Sequence, residues 1–212
     1  MLIGDVNSVV GMNLIVLAAS GRTGLALSRK ALERGHTVTA IARDPGRIDL
    51  DHLNLRKVAA DVSDPASIAA VVDADSVVLS GLGTDVAGVL SDGAKAVVAV
   101  RPKRIIWLGA YGTGASADAA GEGAAVLWKV MGDRIPDKIA ADNAVLATGG
   151  TVFHAGVLSD EPESPGRRTV GLDAAPPFDL GAKVSRETVA AAMLDEAEEP
   201  RFPGTIALPL AG

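Results

Sequence analysis

Leu14-Ile15-Val16-Leu17-Ala18-Ala19-Ser20-Gly21-Arg22-Thr23-Gly24 is the stretch on which the reading of this chain turns. Four consecutive apolar residues have strand length and no polar alternation, as in a central parallel strand buried on both faces. Small residues follow at once, and then a helical pattern begins. A strand, a tight glycine turn and a helix in that order bring backbone N–H groups and the positive end of the helix against an anion. Gly21 allows the close approach, and Gly24 allows the helix to lie tight on the strand. Arg22 offers a charge-assisted bond to a phosphate. The first glycine of the usual spacing is replaced by Ala18, another small residue. Ala18, Ser20, Gly21, Arg22, Thr23 and Gly24 are therefore candidate cofactor contacts, with an ordinary strand–helix turn as the alternative.

Working outward, short β-rich runs alternate with helical stretches, the pattern of repeated βαβ units. A helix is expected over Arg22–Arg34, closed by Gly35, and a strand over Thr37–Ala42. Further strands are expected at Arg56–Ala60, Ser76–Leu79, Arg104–Leu108, Thr151–Phe153 and Thr205–Leu208. Helices are expected from Pro65 to Val72, Asp92 to Val100, Pro136 to Ala147 and Ser185 to Ala197. Ala110 to Gly123 reads as loop, and 159–181 as loop with one short strand near Thr169. These elements make an α/β, Rossmann-like doubly wound parallel sheet in a single domain, residues 12–212, preceded by an N-terminal extension at 1–11 of no assigned role.

In such a sheet ligands bind beyond the carboxyl ends of the strands. After the second strand stands Ala42-Arg43-Asp44. An arginine there suits the 2′-phosphate of NADP(H), whereas Asp44 keeps NAD in play. Arg47 is a second cation within reach. Asp61-Val62 follows the third strand, where the carboxylate either accepts from the adenine amino group or caps the helix ahead of Pro65. Ser80-Gly81-Leu82-Gly83 follows the fourth, where backbone can run along ribose and pyrophosphate or simply turn.

Bulk properties exclude several functions. The chain has 212 residues, 26 acidic against 20 basic, so no global field draws a polyanion and no nucleic-acid partner is expected. There is no cysteine, which removes disulfides, thiolate catalysis and Cys-based metal sites. The three histidines, His36, His52 and His154, have no metal-ligand spacing, so no metal is expected. No apolar run reaches the roughly 18–20 residues of a membrane span. Met1–Gly11 has no signal-peptide core, so the expected address is cytoplasmic. Monomer and homodimer are both open.

Several of these stretches, in their order and spacing, resemble the atypical short-chain dehydrogenase/reductases. The small NAD(P)H-binding reductases similar to biliverdin reductase B (flavin reductase) and the NmrA-like proteins come nearest. The resemblance runs from about Met12 onward. It rests on Leu17–Gly24, Ile41-Ala42-Arg43-Asp44, Ala60-Asp61-Val62, Asp92–Val97, Arg104-Ile105-Ile106 and Phe153-His154-Ala155-Gly156-Val157. It implies NADP(H) lying across the strand ends and a small substrate stacked on the nicotinamide. His154, Ala155, Gly156 and Val157 would lie near the carboxamide, and Ala110 would follow the fifth strand.

The chain departs from the family at the catalytic end. The only tyrosine is Tyr111, and Ala115 stands where Tyr-x-x-x-Lys would need its lysine. The usual hydroxyl after the fifth strand is missing unless Tyr111 or Thr113 replaces it. Lys138 is a candidate for the nicotinamide ribose, with a surface ion pair to Asp142 as the plainer reading. His154 is a candidate proton donor or else a strand-end residue. Trp107 and Trp128 read as packing. Tyr111, Lys138 and His154 are thus the catalytic candidates. The expected activity is NADPH-dependent hydride transfer to a small flat acceptor such as a flavin, a quinone or a related carbonyl compound, in a pocket walled by 111–136 and 158–182. A non-catalytic NADP(H)-binding redox sensor is the rival reading. An NAD-dependent epimerase or dehydratase is third, disfavoured by the missing acid–base pair.

Overall fold

The computed structural model describes residues 11–212, so the expected extension at 1–11 lies outside the described residues except for Gly11. The strands are β1 (Asn13–Leu17), β2 (Thr37–Ala42), β3 (Leu55–Ala59), β4 (Val77–Ser80), β5 (Arg104–Ala110) and β6 (Thr151–Ala155), then β7 (Val157–Ser159), β8 (Arg168–Gly171), β9 (Lys183–Ser185) and β10 (Ile206–Leu210). The helices are α1 (Arg22–Glu33), α2 (Pro65–Ala69), α3 (Val89–Val100), α4 (Ala117–Ala120), α5 (Ala124–Met131), α6 (Arg134–Leu146) and α7 (Arg186–Glu198).

Eight strands form one sheet in the order β3-β2-β1-β4-β5-β6-β10-β8. Every pairing in it is parallel except β8 against β10. The doubly wound expectation holds, and the order reverses between β1 and β4. The central strands have no polar face: β4 is buried at Val77, Val78, Leu79 and Ser80, and β6 is buried throughout. Edge strand β3 instead leaves Arg56, Lys57 and Ala59 exposed. One apolar layer, including Leu27, Ala31, Val189 and Met193, packs α1 and α7 on one face. The other, including Ile68, Ala94, Val97, Ala141 and Val145, packs α2, α3 and α6 on the opposite face.

Caps fall where short polar residues permit them. Asp64 accepts from Ala66 N at 3.0 Å ahead of Pro65 and opens α2. Ser185 accepts from Thr188 N at 3.0 Å and opens α7. Gly35, at φ +82°, closes α1. One loop expectation is corrected. The stretch expected as loop from Ala110 to Gly123 contains α4 between two short 3-10 turns, and α5 follows directly. Alanines and glycines without apolar periodicity hid these turns, which are held by tertiary contacts such as Phe178 N donating to Ala120 O at 2.9 Å. The segment 159–181 carries β8 where the short strand near Thr169 was expected, and β7 pairs with β9 in a separate two-stranded sheet.

Candidate functional site

The glycine turn is built from contacts that permit no other chain path. Gly21 N donates to Ala18 O at 2.9 Å, and Ala19 N donates to Ile41 O at 2.9 Å. A Cβ on Gly24 would sit 2.2 Å from Ala18 O and 2.7 Å from Ala19 Cα, so only glycine lets α1 approach β1. One on Gly81 would sit 2.9 Å from Gly24 N, which brings the β4 loop under the same turn. Ala18 holds φ +55°, a left-handed conformation that costs an L-residue roughly 1–2 kcal/mol. This is the conformation for which the usual first glycine is suited.

A cleft of about 320 Å3 opens in front of this turn. It gathers residues from four strand ends: Ala18, Ser20 and Gly21 after β1, Arg43 and Arg47 after β2, Asp61 and Val62 after β3, and Leu82 and Gly83 after β4. Ile41, Ala42 and Ala60, quoted above for the resemblance but not as cofactor contacts, complete its wall with Ser63, Thr84, Val86 and Val89. The first-turn amides of α1 have no side-chain cap, because the N-cap is Gly21. At α3, whose Val89 borders the same cleft, the corresponding amides are closed off. Asp137 accepts from Leu90 N at 3.1 Å and Ser91 N at 3.0 Å. Although burial opposes ionisation, these hydrogen bonds hold the Asp137 carboxyl below its ordinary range. An anion in the cleft therefore meets one open helix N-terminus, that of α1.

The charged groups after β2 and β3 divide their roles. Asp44 accepts from Gly46 N at 3.0 Å, so one carboxylate oxygen is committed to its own turn. Arg43 and Arg47 are exposed and have no ion-pair partner among the described residues. Asp61 accepts from Ser63 N at 2.9 Å and still lines the cleft, while the helix cap expected as its alternative role belongs to Asp64.

Other candidates lie elsewhere. Arg22 does not line the cleft: it pairs with Asp160 at 2.8 Å, which Arg186 also holds, because α1 presents it to the segment after β7. Thr23 is buried. Ser80 is buried and accepts from Leu82 N at 3.3 Å, making the floor of the turn. Ala110 and Ala155 are paired neighbours in β5 and β6. Val157 enters β7.

A second cavity, of about 210 Å3, occupies the other half of the same sheet edge, at the ends of β5, β6 and β10. Tyr111, Gly156, Pro176, Phe178, Val184 and Leu208 give it apolar walls, with His154 beside them and Arg168, Asp179 and Lys183 also lining it. Here the two stretches expected to wall a substrate pocket do meet. Tyr111 OH donates to Pro176 O at 2.6 Å, and its ring lies 6.1 Å from that of Phe178. Burial pushes the Tyr111 phenol up from its ordinary value.

The catalytic candidates need correction. Tyr111 spends its hydroxyl on Pro176, and Thr113 donates to Ala110 O at 2.8 Å. His154 is only 1% exposed, with Nδ1 2.6 Å from Ser116 Oγ and Nε2 3.0 Å from Asp142 Oδ2. Both ring nitrogens are engaged inside the protein, so it is not presented as a free donor. The i,i+4 pair of Lys138 with Asp142 does not form, because Asp142 is buried against His154. Lys138 is half-buried with no ion-pair partner within 4 Å among the described residues, and burial pulls its pKa below the ordinary value. One sequence signal could have revealed this network. Gly109 lies on β5, where a Cβ would come 2.7 Å from His154 Cδ2 and 3.0 Å from Asp142 Oδ1. Trp107 is buried as expected, but Trp128 is 47% exposed, its Nε1 donating to Gly112 O at 2.6 Å. Among the described residues no cluster of three metal-ligating side chains occurs, and no helix is long and apolar enough to cross a membrane.

A glycine-turn cleft spread over four parallel strand ends defines a nucleotide-binding α/β protein. Residues 18–200 match the model of the NAD(P)H-binding family, and the chain belongs to that family. No curated protein matches the sequence. Solved structures share the fold. An anaerobilin reductase, ChuY, from Escherichia coli O157:H7 has 17% identity and a TM-score of 0.76, over 93% of this chain and 96% of its own. The oxidoreductase ylbE from Lactococcus lactis has 17% identity and a TM-score of 0.78, over 95% and 91%. A wide-type short-chain dehydrogenase/reductase from Veillonella parvula, solved with NADP, has 19% identity and a TM-score of 0.73, over 94% of both chains.

Proposed function

We propose that the chain is an NADPH-dependent reductase that takes a small flat acceptor in its second cavity. The observation that carries this reading is the placement of cleft and cavity on two halves of one carboxyl edge, the cleft reaching to the end of β4 and the cavity beginning at the end of the adjacent β5. The residues present fit the cofactor. Gly21 leaves room for a pyrophosphate against the open α1 amides, Gly24 lets α1 lie close on β1, and Arg43 and Arg47 would face a 2′-phosphate. Asp61, Leu82 and Gly83 line the cleft, where Asp61 would accept from the adenine amino group and Leu82 and Gly83 would flank the ribose. Lys138, without a carboxylate partner, is the residue of α6 assigned to the nicotinamide ribose.

When bound, NADPH supplies a hydride, and the acceptor gains one hydride and one proton as NADP+ forms. Tyr111 and His154 orient rather than donate: the phenol anchors the 176–178 wall, and the imidazole ties β6 to Ser116 and Asp142. The proton therefore comes from water, which suits flavins and quinones, whose reduced forms pick up protons readily. The same committed hydroxyl and imidazole also favour a second reading, a NADP(H)-binding regulator without turnover. A cytoplasmic protein with a small-molecule substrate and no nucleic-acid partner completes the proposal.

The test is a binding titration with NADPH and NADH, followed by NADPH oxidation against a flavin and quinone panel. Binding with acceptor-dependent oxidation supports the reductase. Binding without oxidation moves the assignment to the regulator, and binding of neither nucleotide overturns both.

A further inference from the structure

Two cations on the second cavity have no counterpart in the reading above. Arg168 opens β8 and Lys183 opens β9, so two separate pairings deliver them to one apolar cavity: Arg168 opposite Leu210, and Lys183 opposite Val157. Neither has an ion-pair or side-chain hydrogen-bond partner among the described residues, although acids outnumber bases in this chain. Nearby cations are paired. Arg167, one residue before Arg168, is held by Glu163 and by Asp195 at 2.5 Å, and Arg186 is held by Asp160 at 2.5 Å. The one carboxylate on the cavity, Asp179, is turned into its own loop, accepting from Gly181 N at 2.7 Å.

We propose that Arg168 and Lys183 select acceptors carrying an anionic tail, a phosphate, sulfonate or carboxylate, attached to a planar ring that enters between Tyr111, Phe178 and Leu208. This rests on the reading of the cavity as the acceptor site and adds the charge of the substrate to it. The chain as a whole is acidic, so a free anion is repelled at a distance, and local cations are what retain it. The apolar walls bury the ring, and the two cations meet the tail at the strand openings, where it stays partly hydrated. Arg168 and Lys183, of like sign, penalise an acceptor with a cationic tail.

The experiment pairs acceptors that differ only in charge: FMN against riboflavin, and 1,4-naphthoquinone-2-sulfonate against 1,4-naphthoquinone. Binding to the full chain is followed by fluorescence quenching, with and without saturating NADPH, in parallel with the NADPH titration itself. The charged member of each pair is expected to bind about tenfold more tightly, as one charge-assisted hydrogen bond implies. That advantage falls to about twofold or less in Arg168→Gln with Lys183→Gln, while riboflavin and NADPH affinities stay unchanged. It also shrinks between low and high salt. Equal affinity within both pairs in the parent protein overturns the proposal and leaves the reductase reading standing. Binding of none of the four while NADPH still binds overturns it as well. Loss of NADPH binding itself marks the failure of the underlying reading instead.

Discussion

Replacing Arg43 and Arg47 with alanine separates the two nicotinamide cofactors, and the size of the effect follows from where the two side chains sit. Both line the cleft, both are exposed, and neither has an ion-pair partner among the described residues, so no neighbouring charge is stranded by their removal. Asp44, the acid that an NAD site would use, has one oxygen committed to Gly46 N. A guanidinium about 4 Å from a doubly charged phosphate gains about 2 kcal/mol at the dielectric of water. Physiological salt, with a screening length of about 8 Å, leaves about 1.2 kcal/mol of it. Each arginine is then worth about eightfold in NADPH affinity, and the pair about sixtyfold if they act independently. NADH lacks the 2′-phosphate, and its affinity is expected to change less than about twofold on the same electrostatic grounds. Calorimetric titration of both cofactors into the parent, Arg43→Ala, Arg47→Ala and double variants checks this. Parallel loss of NADPH and NADH affinity, or a parent that prefers NADH, refutes the assignment of these arginines to a 2′-phosphate.

Four further outcomes are expected. Gly24→Ala drives a Cβ to 2.2 Å from Ala18 O and costs more than the roughly 1–3 kcal/mol usual for overpacking, whereas Gly21→Ala, at 3.2 Å, costs less; urea unfolding gives the order. Tyr111→Phe keeps NADPH oxidation within about threefold, since a proton donor would contribute about 100-fold or more, and a loss of that size restores Tyr111 as the acid. Asp142→Ala leaves a buried ring nitrogen of His154 without its partner and lowers stability by about 1–3 kcal/mol in denaturant titration; no loss refutes the coupling of the pair. Lys138→Met raises the melting temperature at neutral pH, where the parent carries a half-buried charge. The unfolded chain keeps the lysine proton up to the ordinary 10.5 and the folded chain releases it earlier, so parent stability rises with pH across that window. The advantage of the variant therefore shrinks toward alkaline pH, and a gain independent of pH contradicts the burial argument.

Much of the nucleotide half was legible because its requirements are local. A buried strand needs consecutive apolar residues, a close helix approach needs Gly24, and a helix start needs a short polar cap such as Asp64 or Ser185. Each of these is a relation among residues a few positions apart. The parallel sheet followed from their alternation, and the cleft residues of four strand ends followed from the sheet.

Long-range partners were not legible, because spacing along a helix says which residues share a face but not what that face meets. Lys138 and Asp142 have the spacing of an ion pair, yet Asp142 faces His154 and Lys138 has no ion-pair partner among the described residues. Arg22 stands at the helix mouth, yet Asp160, 138 positions later, claims it. Tyr111 and Pro176 are likewise joined across 65 positions, and their contact shapes the second cavity. What the amino-acid order determined alone was the alternating strands and helices of the parallel sheet and the glycine turn after β1, since short-range sterics and hydrogen bonding govern both. Which polar groups remain available for chemistry was decided only by tertiary structure, because a side chain's partner is whatever the folded chain brings within about 3 Å of it.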